Sequence, residues 1–305
     1  VFTHCIIRSA TPTRLGAVRI VTWNVNSAKQ RAARLLPWLE QRRPDVVCLQ
    51  ETKLTDTAFA ELFTDPLTKA GYEFAHAGQP AWNGVALLSR IGLSDVRTGF
   101  DGMPGFPEPE ARAISAVCDG VRIHSLYVPN GREVDSDHYA YKLEWLAALR
   151  EVVAAEDAPT LLCGDFNIAP TDADVFDPGA FAGHTHVTPR ERAVLAGFAE
   201  LGLVDVVRER WPQETVYSYW DYRGGMFHKN LGMRIDLILA SASLASRAQA
   251  AWTDREARKG KGPSDHAPVI VDFDTALDGD VGPMVPPPSA KPVPPGAVRL
   301  PQQAP

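Results

Sequence analysis

Only four cysteines occur in 305 residues, and their spacing matches neither a disulfide framework nor a zinc ribbon. Cys48, Cys118 and Cys163 each sit inside an apolar run, which predicts buried free thiols and a reducing, cytoplasmic compartment. No apolar run approaches the roughly 18 residues that a membrane-crossing helix needs, so no membrane association is expected. Internal repeats with a solenoid-like period are absent too. Nor is there an excess of positive charge: 31 Lys and Arg against 37 Asp and Glu leave a net charge of −6. Phosphate binding normally draws on Lys and Arg. Net charge is a sum, however, and a site that gathers carboxylates around a metal is itself acidic, so the local placement of basic residues matters more. With 45% hydrophobic and 22% charged residues, the chain can bury one large core, which excludes a disordered or collagen-like protein.

Residues 1–17 carry a short apolar run at 5–7, well below a signal-peptide core, and are expected to form a disordered extension. Beyond residue 280 lie nine of the 25 prolines, so 277–305 is expected to be a disordered, Pro-rich tail. The folded unit is then 18–276. Within it, β-rich runs recur at 18–25, 45–52, 84–90, 114–117, 121–128, 160–166, 234–241 and 269–273. Asp119-Gly120 between two of them signals a tight hairpin, hence antiparallel pairing. Ser27 with Gln30 predicts a capped helix start, although Pro37 lies inside that helix. Thr188-Pro189-Arg190-Glu191 predicts another start with Pro at its first position. A longer helix over 137–155 places Leu143, Leu146, Leu149 and Val153 on an apolar face. An α/β (α+β) protein with a mixed sheet core and helices outside follows.

Several strands end in carboxylates and carboxamides. The period of two predicts that Asn24 and Asn26 share a face, and likewise Asp165 and Asn167. Gln50-Glu51-Thr52 closes another apolar run, and Ser264-Asp265-His266 precedes a strand. Any one of these alone is a turn former. Together, oxygen-rich groups at several strand ends with no thiolate pair suit a hard cation such as Mg²⁺ or Mn²⁺. His184 and His186 have no Cys or third His nearby and are expected in a polar loop.

The segments WNVN (23–26), LQETK (49–53), YVPNG (127–131), GDFN (164–167), RIDL (234–237) and SDHAPV (264–269) occur in an order that resembles the exonuclease III family of the endonuclease/exonuclease/phosphatase superfamily. That resemblance spans about residues 18–273 and implies a four-layered αββα sandwich, two mixed β-sheets flanked by helices. It also implies a Mg²⁺-dependent (Mn²⁺ possible) phosphodiesterase acting on double-stranded DNA at abasic sites and 3′ ends. By the same resemblance, Glu51 is the main metal carboxylate, with Asn24 and Asp265 holding the ion or its waters and Asp165, Asn167 and His266 adjoining it. Asp165 would orient or deprotonate the attacking water, and Asn167 would donate to the phosphoryl oxygen. His266, held by Asp236, would face the scissile phosphate, with Tyr127 and Asn130 as further contacts. At Asn26 some relatives carry Asp, so this residue is expected to contact DNA instead of serving as a metal ligand, which favours one metal over two.

Arg255, Arg258, Lys259 and Lys261 form a local basic cluster just before Asp265, expected on the DNA backbone or as a solvated loop. The aromatic stretch 217–222 runs into a Gly-rich loop ending at Phe227. By the same resemblance this region, with Trp220 and Phe227, borders the baseless sugar or wedges the duplex, and ordinary core aromatics are the alternative reading. Arg112 matches a family arginine, for DNA contact or for a structural ion pair. The expected protein is a monomer that cleaves DNA. The alternatives are a phosphatase of phospholipid or inositol phosphates and an inactive DNA-binding relative.

Overall fold

Alternation along the strands sets the architecture. In the computed structural model, which describes residues 16–289, β1 (Val18–Asn24) turns Ile20 to one apolar cluster and Val21 and Trp23 to another. The next strand, β2 (Val46–Gln50), does the same, with Val46 and Cys48 on one side and Val47 and Leu49 on the other. Strands covered on both faces read as continuous apolar runs, which is why β2 stands out in the sequence, whereas Arg19 and Thr22 interrupt β1. The others follow as β3 (Glu73–Ala77), β4 (Val85–Ser89), β5 (Ser94–Thr98), β6 (Ala113–Cys118), β7 (Val121–Tyr127) and β8 (Thr160–Asp165). Then come β9 (Leu203–Asp205), β10 (Asp236–Ser241), β11 (Ala248–Asp254), β12 (Val269–Phe273) and β13 (Met284–Val285).

A seven-stranded sheet has the order β13-β11-β12-β1-β2-β4-β3, and a six-stranded sheet the order β5-β6-β7-β8-β10-β9. Both are mixed, since β1 and β2 run parallel, as do β7 and β8, among otherwise mostly antiparallel neighbours. Between the sheets lie Ile20, Cys48 and Leu87 against Ile123, Leu161 and Ile238. Helices α1 (Ala28–Arg42) and α2 (Asp56–Lys69) press Leu35, Leu39, Phe59 and Phe63 onto the outer face of the first sheet. On the other side, α3 (Asp137–Ala154), followed after the one-turn α4 (Pro178–Phe181) by α5 (Pro189–Glu200), packs Trp145, Leu149 and Phe198 against Leu126, Leu162 and Leu237. This is the expected four-layered sandwich. Cys48, Cys118 and Cys163 are buried and unbridged, and no helix among the described residues is long and apolar enough to cross a membrane.

Helix starts follow the sequence signals with one difference. Thr188 and Glu191 form a reciprocal capping box with Pro189 at the first position of α5. At α1, Ser27 accepts from the Gln30 amide, but the Gln30 side chain turns to Arg31 instead of reaching back. Pro37 does not end that helix.

The expected tail boundary needs correction. Residues 277–289 belong to the packed structure: β13 pairs with β11, Met284 is buried, and Asp278 meets Arg19 Nη1 at 2.9 Å. An edge strand tolerates flanking prolines because only one of its sides needs N–H donors. The remainder of that segment, 290–305, and most of the expected N-terminal extension, 1–15, lie outside the described residues.

Candidate active site

Pairing register brings the polar strand ends to one edge of the sandwich. Parallel β1 and β2 set Asn24 beside Gln50, so that Glu51 emerges next to Asn24. Antiparallel β8 and β10 set Asp236 directly opposite Asp165. Because β12 runs antiparallel to β1, the loop 264–268 enters at the same edge.

The expected shared strand faces take a different form. Strands β1 and β8 stop at Asn24 and Asp165, and the chain then turns through left-handed backbone at Asn26 (φ 44°) and Asn167 (φ 50°). The Asn26 amide donates to Asn24 Oδ1 at 3.0 Å, and the Asn167 amide donates to Asp165 Oδ1 at 2.9 Å. These are side-chain-closed turns, so the same residues shape the loop and furnish the site. Glu51 also has φ 53°. For a glutamate this conformation costs about 1 kcal/mol or more, a strain that recurs where a side chain is held for function.

One polar network links the two sheets. Asn24 Nδ2 donates to Glu51 Oε1 at 2.8 Å and to Asp165 Oδ2 at 2.9 Å. Lys53 Nζ bridges Glu51 Oε2 at 2.8 Å and Asn26 Oδ1 at 2.7 Å, and Asn26 Nδ2 reaches Asp265 Oδ1 at 3.0 Å. Burial alone would raise the Glu51 carboxyl, but Lys53 and Asn24 outweigh it and hold it below the ordinary carboxylate value. Tyr127 behaves oppositely. Burial, reinforced by the charges of Glu51 and Asp165, pushes its phenol well above the usual range, so the hydroxyl remains a donor.

On the other side, His266 Nδ1 lies 2.8 Å from Asp236 Oδ2, and its Nε2 lies 3.8 Å from Asp165 Oδ2. Burial opposes charge on this imidazole, but Asp236 and then Asp165 overcome it and lift the pKa to about 10. Asp165 moves the other way for a carboxylate, up to about 7. Its burial leads that rise, with Asp236 and Glu51 adding to it and His266 and Asn24 holding it back. Asp165, Asp236 and His266 bring potential ligand atoms within 4.8 Å of one another. A protonated imidazole has no lone pair to give a metal. Beside these residues, Glu51 and Asp265 offer half-buried oxygen donors of the kind that a hard cation takes.

A model described as the Endonuclease/Exonuclease/phosphatase family matches residues 21–266. The chain belongs to that family. Among known proteins, the exodeoxyribonuclease III of Haemophilus influenzae is 31% identical over 84% of this chain and 100% of its own length. Among solved structures, a 3′ phosphatase from Neisseria bound to a product DNA hairpin matches with a TM-score of 0.81 and 39% identity, covering 85% of this chain and 100% of that one. An AP endonuclease from Archaeoglobus fulgidus matches with a TM-score of 0.80 and 36% identity over the same shares.

Several expected DNA contacts of this family member take other positions. Trp220 is fully buried, its Nε1 donating to Asn230 Oδ1 at 3.2 Å, so the expectation of a wedge at this residue is corrected to a core role. Phe227 is buried as well, edge-on to Trp220 with ring centroids 5.3 Å apart. The basic cluster is divided. Arg258 is only 6% exposed, stacks 4.9 Å over Tyr222 and donates to the Trp220 carbonyl, while Arg255 stacks 4.3 Å over Phe227. Planar guanidinium groups lie on aromatic faces where an ammonium would stay hydrated. Lys259 and Lys261 are the exposed members, Lys259 pairing with Glu256 at 3.1 Å. Arg112 takes the ion-pair alternative, its Nε 2.6 Å from Glu110 Oε2 and its guanidinium 4.8 Å over the Tyr127 ring. Asn130 is exposed and donates to Asn167 Oδ1 at 3.1 Å.

Sequence reasoning missed four participants. Lys53 stood in a quoted motif but received no role. Ser218 accepts from the Asp236 amide at 3.1 Å, fixing the start of β10, and nothing in its local sequence marks it. Tyr219, the neighbour of Trp220, is the aromatic that lies against His266, at 4.9 Å between rings. His186, expected in a polar loop together with the exposed His184, is buried with Nδ1 2.5 Å from the Asn167 carbonyl.

Proposed function

We propose that this chain is a divalent-metal-dependent DNA phosphodiesterase of the exodeoxyribonuclease III type, incising duplex DNA at abasic sites and trimming 3′ ends, with Mg²⁺ as its usual ion and Mn²⁺ as a substitute. The observation that carries the reading is Asp165 poised between two opposed groups, the Asn24 amide on the Glu51 side and the His266–Asp236 pair on the other.

Attack on a phosphodiester needs a proton removed from water and negative charge accommodated on the phosphoryl oxygens. Asp165 accepts that proton. His266, kept cationic by Asp236, donates to a phosphoryl oxygen, and the Tyr127 hydroxyl and the carboxamides of Asn130 and Asn167 supply further donors. Glu51, with Asp265 beside it in the network, would hold the divalent cation, which when bound would supply polarisation of the phosphate and neutralisation of developing charge. DNA as the substrate is favoured over an inositol phosphate by relatives that are named as DNA enzymes across their whole length.

The deciding experiment incubates the protein with a duplex carrying one abasic analogue, with Mg²⁺ or with chelator. Cleavage with Mg²⁺ and its loss with chelator are expected. Tight binding without cleavage would favour an inactive DNA-binding relative, and phosphate release from inositol phosphates alone would favour the lipid-type phosphatase.

The pH dependence has a definite sign. Asp165 has to be ionised to accept a proton, so the rate should rise about tenfold per pH unit below its pKa of about 7 and level off above it. A cation bound at Glu51 moves that limb to lower pH without inverting it. Over the same interval His266 stays protonated, its pKa lying near 10. A rate profile that declines as pH rises from about 5 to 8 would eliminate Asp165 as the base.

A further inference from the structure

Beneath Asn130 and Asn167 lies a charged pair that the proposed chemistry leaves unused. Lys142 of α3 and Glu191 of α5 are both 0% exposed, with Nζ 2.5 Å from Oε1. The ammonium also donates to the main-chain carbonyl of Asn167 at 2.7 Å and to that of Asn130 at 3.2 Å. Glu191 Oε1 accepts in addition from Thr185 Oγ1 at 2.8 Å and from the His186 amide at 3.0 Å, and the His186 ring lies against the same Asn167 carbonyl.

Stability alone gives a weak reason for this arrangement. Taking two charges out of water costs several kcal/mol per ion, and apolar replacements of similar volume are often neutral or better. The caps of the two helices do not need the lysine: Thr188 and Glu191 close α5, and Ser136 caps α3. What the ammonium does hold is the backbone of two residues whose side chains are joined to each other at the mouth of the site. One of them, Asn167, sits in left-handed backbone. The packing leaves no slack, because a Cβ at Gly131 would lie 2.8 Å from Thr185 Oγ1 and 3.0 Å from Lys142 Cδ.

We propose that Lys142 and Glu191 are positioning residues, an internal clamp that sets the backbone of Asn130 and Asn167 so that their carboxamides meet the phosphate in one orientation. This rests on the reading that those carboxamides face the scissile phosphate. Displacements near 1 Å at a reacting centre can cost on the order of a hundredfold in rate.

The test replaces the pair without leaving a lone buried charge, as Lys142→Met with Glu191→Gln. Single-turnover cleavage of the abasic duplex is expected to fall about 10- to 100-fold, with duplex affinity changed less than about threefold. In an Asn130→Ala, Asn167→Ala background the same pair of changes should cost less than about threefold, because the clamp acts through those two residues. A rate within about twofold of the parent, or an equal loss in both backgrounds, would overturn the proposal. Should that double variant not fold, Lys142→Gln with Glu191→Gln, which again leaves no lone buried charge and keeps hydrogen-bonding groups, decides: a loss of about fivefold or more supports the clamp, and a rate within about twofold refutes it. Side-chain amide resonances of Asn130 and Asn167 in ¹⁵N-labelled protein provide a readout without turnover. They should shift in the variant, and unshifted resonances would count against the clamp. A parent that leaves the duplex intact would instead refute the proposed function, and those resonances would still judge the pair.

Discussion

Asp165→Asn is expected to lower single-turnover cleavage of an abasic duplex by about 10³- to 10⁴-fold, at the upper end of what removal of a general base costs. An asparagine has nearly the same shape and can still accept the Asn167 amide through one oxygen, so the turn after β8 survives. Its NH₂ group, however, would take the place of Oδ2 and face both the Asn24 amide, now 2.9 Å from that oxygen, and the His266 Nε2, now 3.8 Å from it. Donor would meet donor, and the carboxylate assigned to take the water's proton would be gone. Duplex binding should persist or tighten, because one negative charge has left a site that meets phosphate. Comparing the cleavage rate at saturating enzyme with the dissociation constant separates these effects. A variant that keeps a tenth of the parent rate would show that the base lies elsewhere.

Asp236→Asn should cost about 10²- to 10³-fold near neutral pH, the range found when one preorganised electrostatic group is removed. The distinguishing feature is its pH dependence. His266 owes its pKa of about 10 chiefly to Asp236, then to Asp165, acting against burial. With the charge at Asp236 gone, the imidazole loses its proton at lower pH. The variant's rate should then fall as pH rises through that lowered value, while the parent holds its plateau. The ratio of parent to variant should therefore widen from about pH 6 to 9. A ratio that stays flat over that span would mean that Asp236 acts through shape alone, and a variant near the parent rate would remove the Asp236–His266 pair from the mechanism.

The central strands were legible because burial on both faces leaves short continuous apolar runs, as in β2, β8 and β10. Strands at or near the edges were not. Every residue of β5 is exposed, and β9 has three residues, so neither carries an apolar signature. The sequence AQAAWTD of β11 is rich in alanine, a poor strand former. It becomes a strand because β12 and β13 pair with it on either side. Composition misjudged the segment after residue 276 for a related reason: proline content speaks to local stiffness and says nothing about a buried Met284.

For the site, the types of residue and their order were readable, and with them the family. Oxygen-bearing groups at strand ends and the succession of short motifs are local properties of the chain. Their partners were not readable. The Asn24–Asp165 contact joins residues 141 apart and Asp236–His266 joins residues 30 apart, and both depend on strand register. Trp220 and Tyr219 show the limit at its sharpest. Adjacent positions in one aromatic stretch, they go to the core and to the face of His266 respectively. Likewise Arg258 is committed to aromatic faces while Lys261 in the same basic run is exposed. Periodicity records which face of an element is apolar, because desolvation acts on each residue where it stands. Which buried polar group meets which other is decided only when the layers dock, since a hydrogen bond or ion pair requires both partners within about 3 Å and the chain between them adds no constraint of that precision.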